Sequence, residues 1–417
     1  MGSTAGPRRS LSYAEARARV LAAASPLPTE TLPLAACDCR ALREAQRAPH
    51  ALPPFRNSAM DGWAVRVVDL AGATAGHPAR LRTAAVIAAG AGVPEPLAAG
   101  SAARIMTGAM VPANADAVVP LEEAPGSAAD GTIAFVRPAP AGQHVRDAGA
   151  DVAEGERLLA AGRTLSPHDL ALLASLGIAR IPVGRRPRAV VLSTGDELLA
   201  IEDALVPGRI RDSNSLQLAL LLAEAGAEVV RSDRLPDDAR AVAARLEAAQ
   251  AEADVVISIG GVSMGDFDPV RDAIASMPWI ELWRVAMRPG QPQAFGARDG
   301  RLVFGLPGNP ASVACVFEAL VRPALRTMQG FAEIERVRIE ALSAERIESR
   351  PGRTDFVRVT LERHAGDWWA RPAGLQLSGH LAPQSRAHAL LIVPAEAEAL
   401  DPGDRAAALV LRWPEPA

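Results

Sequence analysis

Residues 254–268 read DVVISIGGVSMGDFD, and this stretch decides how the chain folds. Val255, Val256, Ile257 and Ile259, broken only by Ser258, form a near-continuous β-branched run. Such a run suits a short strand buried on both faces, as in a parallel sheet covered by helices. Gly260 and Gly261 follow at once, then Val262-Ser263-Met264-Gly265. Glycines let the backbone turn tightly and aim successive N–H groups at an anion. Asp266 and Asp268 set carboxylates beside that loop, a combination suited to a phosphate with a metal ion. A plain strand-to-helix turn would account for Gly-Gly alone. A binding loop is favoured because a buried strand running into a polar turn recurs twice nearby.

Working outward, residues 189–192 predict a strand leading into Ser193-Thr194-Gly195-Asp196-Glu197, and 302–306 a strand leading into Pro307-Gly308-Asn309-Pro310. Helices are expected over 215–225, over 238–249 with Val242, Leu246 and Ala249 on one side, and around 270–276. Strands are expected at 228–231 and 280–285. Asn309 as N-cap and Pro310 at the first helical position open a helix over 311–320. This alternation predicts an open parallel sheet, which binds ligands at the carboxyl ends of its strands. Residues 194–197, 260–268 and 307–312 all lie at such ends, so three polar turns on one edge make a pocket.

The flanking regions read differently. Residues 12–24 form an amphipathic helix with Ser12 as N-cap and Glu15 three residues on. Short β-like segments alternate with Gly, Pro and Asn turns over 81–136. Residues 149–183 return to helix, opened by Ser166-Pro167-His168-Asp169 and closed by Gly177. The basic stretch 185–188 is a solvated boundary, and beyond residue 330 partial alternation predicts a small β-barrel or sandwich. The expected divisions are 11–50 with 148–184 (a discontinuous helical linker domain), 51–147 (an inserted, mostly β domain), 185–330 (α/β) and 331–417 (C-terminal β-barrel).

Composition narrows the function classes. A chain of 417 residues exceeds one ordinary core, and two to four domains are expected. With 49% apolar and only 4% aromatic residues, the core must be Ala, Val and Leu. A net charge of −4 with both signs interspersed disfavours nucleic-acid binding. Cys37, Cys39 and Cys315 form neither an even disulfide set nor a zinc spacing and read as free thiols of a reducing cytosol. Residues 1–10 read as a frayed tail, and no apolar run approaches membrane length.

Ten segments in a fixed order then carry a family resemblance. They are TLPL at Thr31, PPFRNSAMDGWAV at Pro53, RIMTGA at Arg104, ADAVVPLEE at Ala115 and STGDEL at Ser193. They continue with RDSNS at Arg211, GGVSMGDFD at Gly260, RPGQP at Arg288, LPGNPAS at Leu306 and PGRTDFVR at Pro351. The chain resembles the molybdopterin molybdenumtransferases (bacterial MoeA and the gephyrin E domain). The resemblance implies an α/β multidomain chain with a central, Rossmann-like molybdopterin-binding sheet, a cytoplasmic homodimer, and the last step of molybdenum cofactor synthesis. In that step molybdate enters the dithiolene of adenylylated molybdopterin and AMP leaves, with Mg2+ as the implied cation. Transient contact with an upstream adenylyltransferase or a recipient molybdoenzyme is also implied.

The resemblance assigns residues as well. Asp61, Thr107, Glu197, Asp268, Arg288 and Arg353 are the expected catalytic set. Glu197, Asp268 and one of the adjacent pair Asp237 and Asp238 would hold the metal and phosphates. Ser193, Thr194, Gly195, Asp212, Ser213, Asn214, Gly260, Gly261, Ser263, Gly265, Pro307, Gly308, Asn309 and Ser312 would bind the pterin nucleotide. Arg353 and Ser378 match the family's anion-site Arg and Ser, and Arg284 and Gln291 are expected among the binding residues. Asp61 and Thr107 lie in the β domain, which in this family meets the sheet pocket of the other subunit. Where the family usually carries lysines, this chain has Arg284, Arg288 and Gln291, and Gln291 removes a charge. Gln291 sustains an alternative reading, a molybdopterin-binding scaffold or carrier without efficient insertion. A plain nucleotide-pyrophosphate hydrolase is a third reading, disfavoured because it has no need of an oxyanion site at Arg353 and Ser378.

Overall fold

The fold is that of a computed structural model in which residues 9–124, 130–261 and 269–415 are described. The chain forms two compact units, one of Met1–Glu44, Ala161–Leu170 and Arg180–Ala417, the other of Ala45–Ala160 and Ala171–Ala179.

In the larger unit every residue of Val255–Ile259 is buried. This strand pairs in parallel with Arg188–Thr194 on one side and Arg301–Leu306 on the other, and Glu228–Leu235 adds a fourth parallel strand. Val242, Leu246 and Ala249 of the helix Ala239–Glu252 pack with Val190, Leu192 and Val256. Leu218 and Leu222 of Ser213–Glu224 join Ala189, Val191 and Ile257 in a separate core. Alternate residues of each strand thus enter different cores, which is why the strands show no polar alternation.

The expectation of an open parallel sheet holds for these four strands and fails beyond them. Pro292–Arg298 folds back antiparallel to Arg301–Leu306, and Ile280–Arg288 in turn pairs antiparallel with Pro292–Arg298. The hairpin between Arg298 and Arg301 turns on Asp299 and Gly300, at φ 53° and 74°. Asp-Gly between two apolar runs is the usual signal for such a turn, and it marks the strand that periodicity alone misses.

Arg9–Ser12 pairs in parallel with Ile280–Arg288, so the stretch read as a frayed tail is already a strand at Arg9. Ser12 then opens the helix Tyr13–Ala23 with the expected capping box: Glu15 N donates to Ser12 Oγ at 3.2 Å and Ser12 N to Glu15 Oε2 at 2.8 Å. Residues 149–183, read as helical, are helical only over Pro167–Ser175. Arg180–Gly184 is a strand antiparallel to Thr29–Pro33. Buried β-branched Ile181 and Val183 flank Pro182, a pattern that favours extended backbone over helix.

The C-terminal strands close on themselves as expected. Thr354–His364 pairs with both Asp367–Pro372 and Ala389–Val393. Arg405–Val410 links Ala389–Val393 to Arg338–Ser343, which meets Asp367–Pro372. Met287 and Arg288 ladder onto Thr354 and Asp355, so Ile280–Arg288 serves the central sheet and the barrel together. The smaller unit holds a five-stranded sheet in the order Ala117–Pro120, Gly62–Val65, Ser101–Ile105, Ala79–Ile87, Thr132–Phe135. All three cysteines are free thiols, and among the described residues no helix is long and apolar enough to cross a membrane.

Candidate functional site

Because Arg188–Thr194, Val255–Ile259 and Arg301–Leu306 are adjacent and parallel, their carboxyl ends share one rim. Gly260 N donates to Leu306 O at 3.0 Å and Thr194 Oγ1 to Ile259 O at 3.3 Å, so the three turns touch. Gly260 sits at φ 88°, and a Cβ there would meet the carbonyl and hydroxyl oxygens of Thr194 at 3.1 Å. Only glycine suits that conformation, so the rim depends on it.

A cavity of about 670 Å³ opens on this rim. Of the residues singled out in the sequence it is lined by Ser193, Thr194, Gly195, Glu197, Asp212, Ser213, Asn214, Asp237, Gly260, Gly261, Gly308 and Asn309. Pro310, inside the predicted turn 307–312, also lines it, as do Arg211, Gly379 and Leu381, to which the sequence assigned no role. Arg211 lies inside RDSNS and Gly379 directly follows Ser378, so both were within reach of the sequence reading. Pro307 and Ser312 are buried and do not line the cavity.

Hydrogen bonds fix the lining. Asp212 caps Ser213–Glu224 by accepting from Ser215 N at 3.0 Å, and its other oxygen accepts from Ser193 Oγ at 2.8 Å. One carboxylate thereby joins a helix start to a strand end. Asn214 Nδ2 donates to Gly308 O at 2.7 Å, tying a second turn to the same helix. Asn309 precedes the helix Pro310–Val316 as expected, yet makes no side-chain cap. Its Nδ2 donates instead to Ser378 Oγ at 3.0 Å, while Ala311 N donates to Ser378 O at 3.0 Å.

Two of the proposed metal carboxylates, Glu197 and Asp237, line the cavity. Asp237 is held by exchange with Asp196: each backbone N–H donates to the other's carboxylate at 3.3 Å. Asp238 turns to its own helix and accepts from Ala241 N at 2.7 Å. Ser263, Gly265 and Asp268 lie outside the described residues. Among the described residues no group of three His, Cys, Asp or Glu side chains forms a metal cage. Hard oxygen donors from the two carboxylates Glu197 and Asp237 on one cavity do suit Mg2+, which keeps waters and needs few protein ligands.

The arginines gather elsewhere in the larger unit. Asp355, only 2% exposed, stands between Arg288 (Nη1 3.7 Å from Oδ2) and Arg353 (Nε 2.8 Å from Oδ1). A second cavity of about 280 Å³ is lined by Arg288, Asp355, Arg358 and Gln376 among others. Arg284 and Gln291 are exposed and line neither cavity. Within the smaller unit Asp61 Oδ1 accepts from Thr107 N at 2.7 Å and Thr107 Oγ1 at 2.8 Å. The backbone bond, then the hydroxyl bond, hold the Asp61 carboxyl below the usual range.

Family models and a solved structure match nearly the whole chain. The MoeA N-terminal region (domains I and II) matches residues 11–177. The probable molybdopterin binding domain matches 190–327, and the MoeA C-terminal region (domain IV) matches 340–411. The chain belongs to the MoeA family. Its MoeA relatives include the molybdopterin molybdenumtransferase 2 of Mycobacterium tuberculosis, 38% identical over 83% of this chain and 86% of that one. The molybdopterin molybdenumtransferase of Haemophilus influenzae is 37% identical over 80% and 82%. The crystal structure of the Pyrococcus horikoshii molybdopterin biosynthesis MoeA protein superposes with a TM-score of 0.82 at 29% identity, covering 96% of this chain and all of that one.

Proposed function

We propose that this MoeA-family chain is a molybdopterin molybdenumtransferase, which inserts molybdate into adenylylated molybdopterin and releases AMP. The observation that carries the reading is the meeting of three strand-end turns with Glu197 and Asp237 round one cavity. The start of Ser213–Glu224 opens on that cavity; Asp212 takes up Ser215 N, and the dipole of the helix start favours an anion beside it. Glu197 and Asp237 would hold Mg2+, which supplies neutralisation of charge on the cleaved phosphoanhydride. Arg288 and Arg353 offer planar donor forks suited to an oxyanion, and Asp355 keeps both from swinging free. The enzyme would work as a cytoplasmic homodimer that passes its product to a molybdoenzyme.

The shared Asp355 also favours the second reading, a molybdopterin-binding scaffold, because molybdate must compete with that carboxylate for both arginines. One assay decides between them. Adenylylated molybdopterin and Mg2+ are supplied with and without molybdate, and AMP is measured. Molybdate-dependent release supports insertion. Tight binding without release means a carrier, and release indifferent to molybdate means a hydrolase.

A further inference from the structure

Arg358, on the barrel strand Thr354–His364, is only 2% exposed. A buried guanidinium is costly unless its donors are satisfied. All its side-chain hydrogen bonds go to one neighbouring segment, residues 375–380, and none to a carboxylate among the described residues. Nη1 donates to His380 O at 2.9 Å, and Nη2 to Leu377 O at 3.0 Å and Leu375 O at 3.3 Å. Nε donates to Gln376 Oε1 at 3.3 Å. The Gln376 amide also accepts from Arg358 N at 3.0 Å and donates to Arg358 O at 3.1 Å.

Apart from Arg358, the segment is tied at Ser378, where Ala311 N donates to the carbonyl and Asn309 Nδ2 to the hydroxyl. It contains no helix or strand, and Leu375 and Leu377 point outward, 69% and 54% exposed. It nonetheless spans both cavities. Gln376 lines the arginine cavity, Ser378 receives the Asn309 hydrogen bond, and Gly379 lines the nucleotide-sized cavity. A fork that donates to three carbonyls of one segment and to an amide fixes backbone position in a way a single ammonium cannot.

We infer that Arg358 is a positioning residue: from inside the barrel wall it sets residues 375–380, and through them places the Ser378 hydroxyl at Asn309 and Gln376 at the arginines. Its consequence for catalysis rests on the proposed molybdenumtransferase reaction; the tie itself does not.

The test uses the full chain carrying Arg358→Leu, Arg358→Lys, Gln376→Ala or Ser378→Ala. Amide hydrogen exchange is followed across 374–381, with Ala389–Val393 as internal reference, alongside molybdate-dependent AMP release. In Arg358→Leu, exchange across 374–381 should rise by about 10-fold or more while the reference strand stays protected. AMP release should fall about as far as in Ser378→Ala, a double variant carrying both Arg358→Leu and Ser378→Ala should be no worse than either, and Arg358→Lys should recover part of the loss. Unchanged exchange in the segment, or losses that multiply in the double variant, would overturn the inference. If Arg358→Leu fails to fold, Gln376→Ala must show the same confined rise, and its absence is equally decisive against the tie. If the unaltered chain releases no AMP with molybdate, the proposed function falls, while exchange still judges the role of Arg358.

Discussion

Asn309 gives its side-chain N–H to the Ser378 hydroxyl at 3.0 Å, joining the turn after Arg301–Leu306 to a segment beside the barrel. An Asn immediately before a helix normally bonds back to that helix, and its loss usually costs about 0.5–2 kcal/mol. Here the side chain is diverted to the site. Asn309→Ala should therefore leave thermal stability within about 0.5 kcal/mol of the original, below the usual cap cost. AMP release should fall by about 10-fold or more, because the hydroxyl loses its orientation. A large drop in melting temperature with activity retained would contradict this.

The adjacent carboxylates Asp237 and Asp238 should separate cleanly. Asp237→Ala should raise the Mg2+ concentration needed for AMP release with little change in folding, since the side chain lines the cavity. Asp238→Ala should cost about 1 kcal/mol of stability by removing a helix cap, with the Mg2+ requirement unchanged. Glu197→Ala and Asp268→Ala are each expected to abolish release in a folded protein. Magnesium titrations of AMP release beside urea melts check all four.

Gln291→Lys restores a cation in the turn after Arg288. The position is exposed and screened by salt, so the molybdate concentration for half-maximal release should fall only about 2- to 5-fold. An unchanged or higher requirement would place this position outside the oxyanion's reach.

Glu318 is buried and accepts from Arg336 Nε and Nη2 at 2.9 and 2.8 Å, with Arg322 Nε at 3.9 Å. Glu318→Ala would leave buried Arg322 without its carboxylate, while Arg336 keeps its pair with Glu224 at 2.7 and 2.8 Å. Removing one partner of a buried pair costs about 3–5 kcal/mol, and the urea midpoint should drop accordingly. A variant of near-original midpoint would mean that water reaches the arginines.

Asp169 makes a pH-dependent contribution. Burial pushes its carboxyl up, but hydrogen bonds from Ser166 and the nearby Arg163 outweigh it and hold it below the usual 3.8. A lowered native pKa gives stability that is fully present above the unfolded value and lost as pH falls through the native one. Asp169→Asn should therefore flatten the acid limb of stability below about pH 5 and lower stability at neutral pH. Urea midpoints at stepped pH measure the difference.

Much of this was legible beforehand because it depends on local signals. The β-branched run before Gly260, the capping pair Ser12 and Glu15, and the Asn309-Pro310 helix start each rest on neighbours in sequence. The strand Pro292–Arg298 was missed through an Asp-Gly turn left unread, and Arg180–Gly184 through a helix carried too far past Gly177. Asp355, Arg358 and Gln376 were not legible as a group. Their roles come from long-range packing, where a charged residue in a strand looks the same whether it meets solvent or three carbonyls.

The dual membership of Ile280–Arg288 has a mechanical outcome. Since Met287 and Arg288 are stitched by main chain to Thr354 and Asp355, no swivel separates the arginine-bearing seam from the barrel wall. A chain ending near residue 330 would lose Thr354 and Asp355, and with them the main-chain ladder and the carboxylate that aim Arg288.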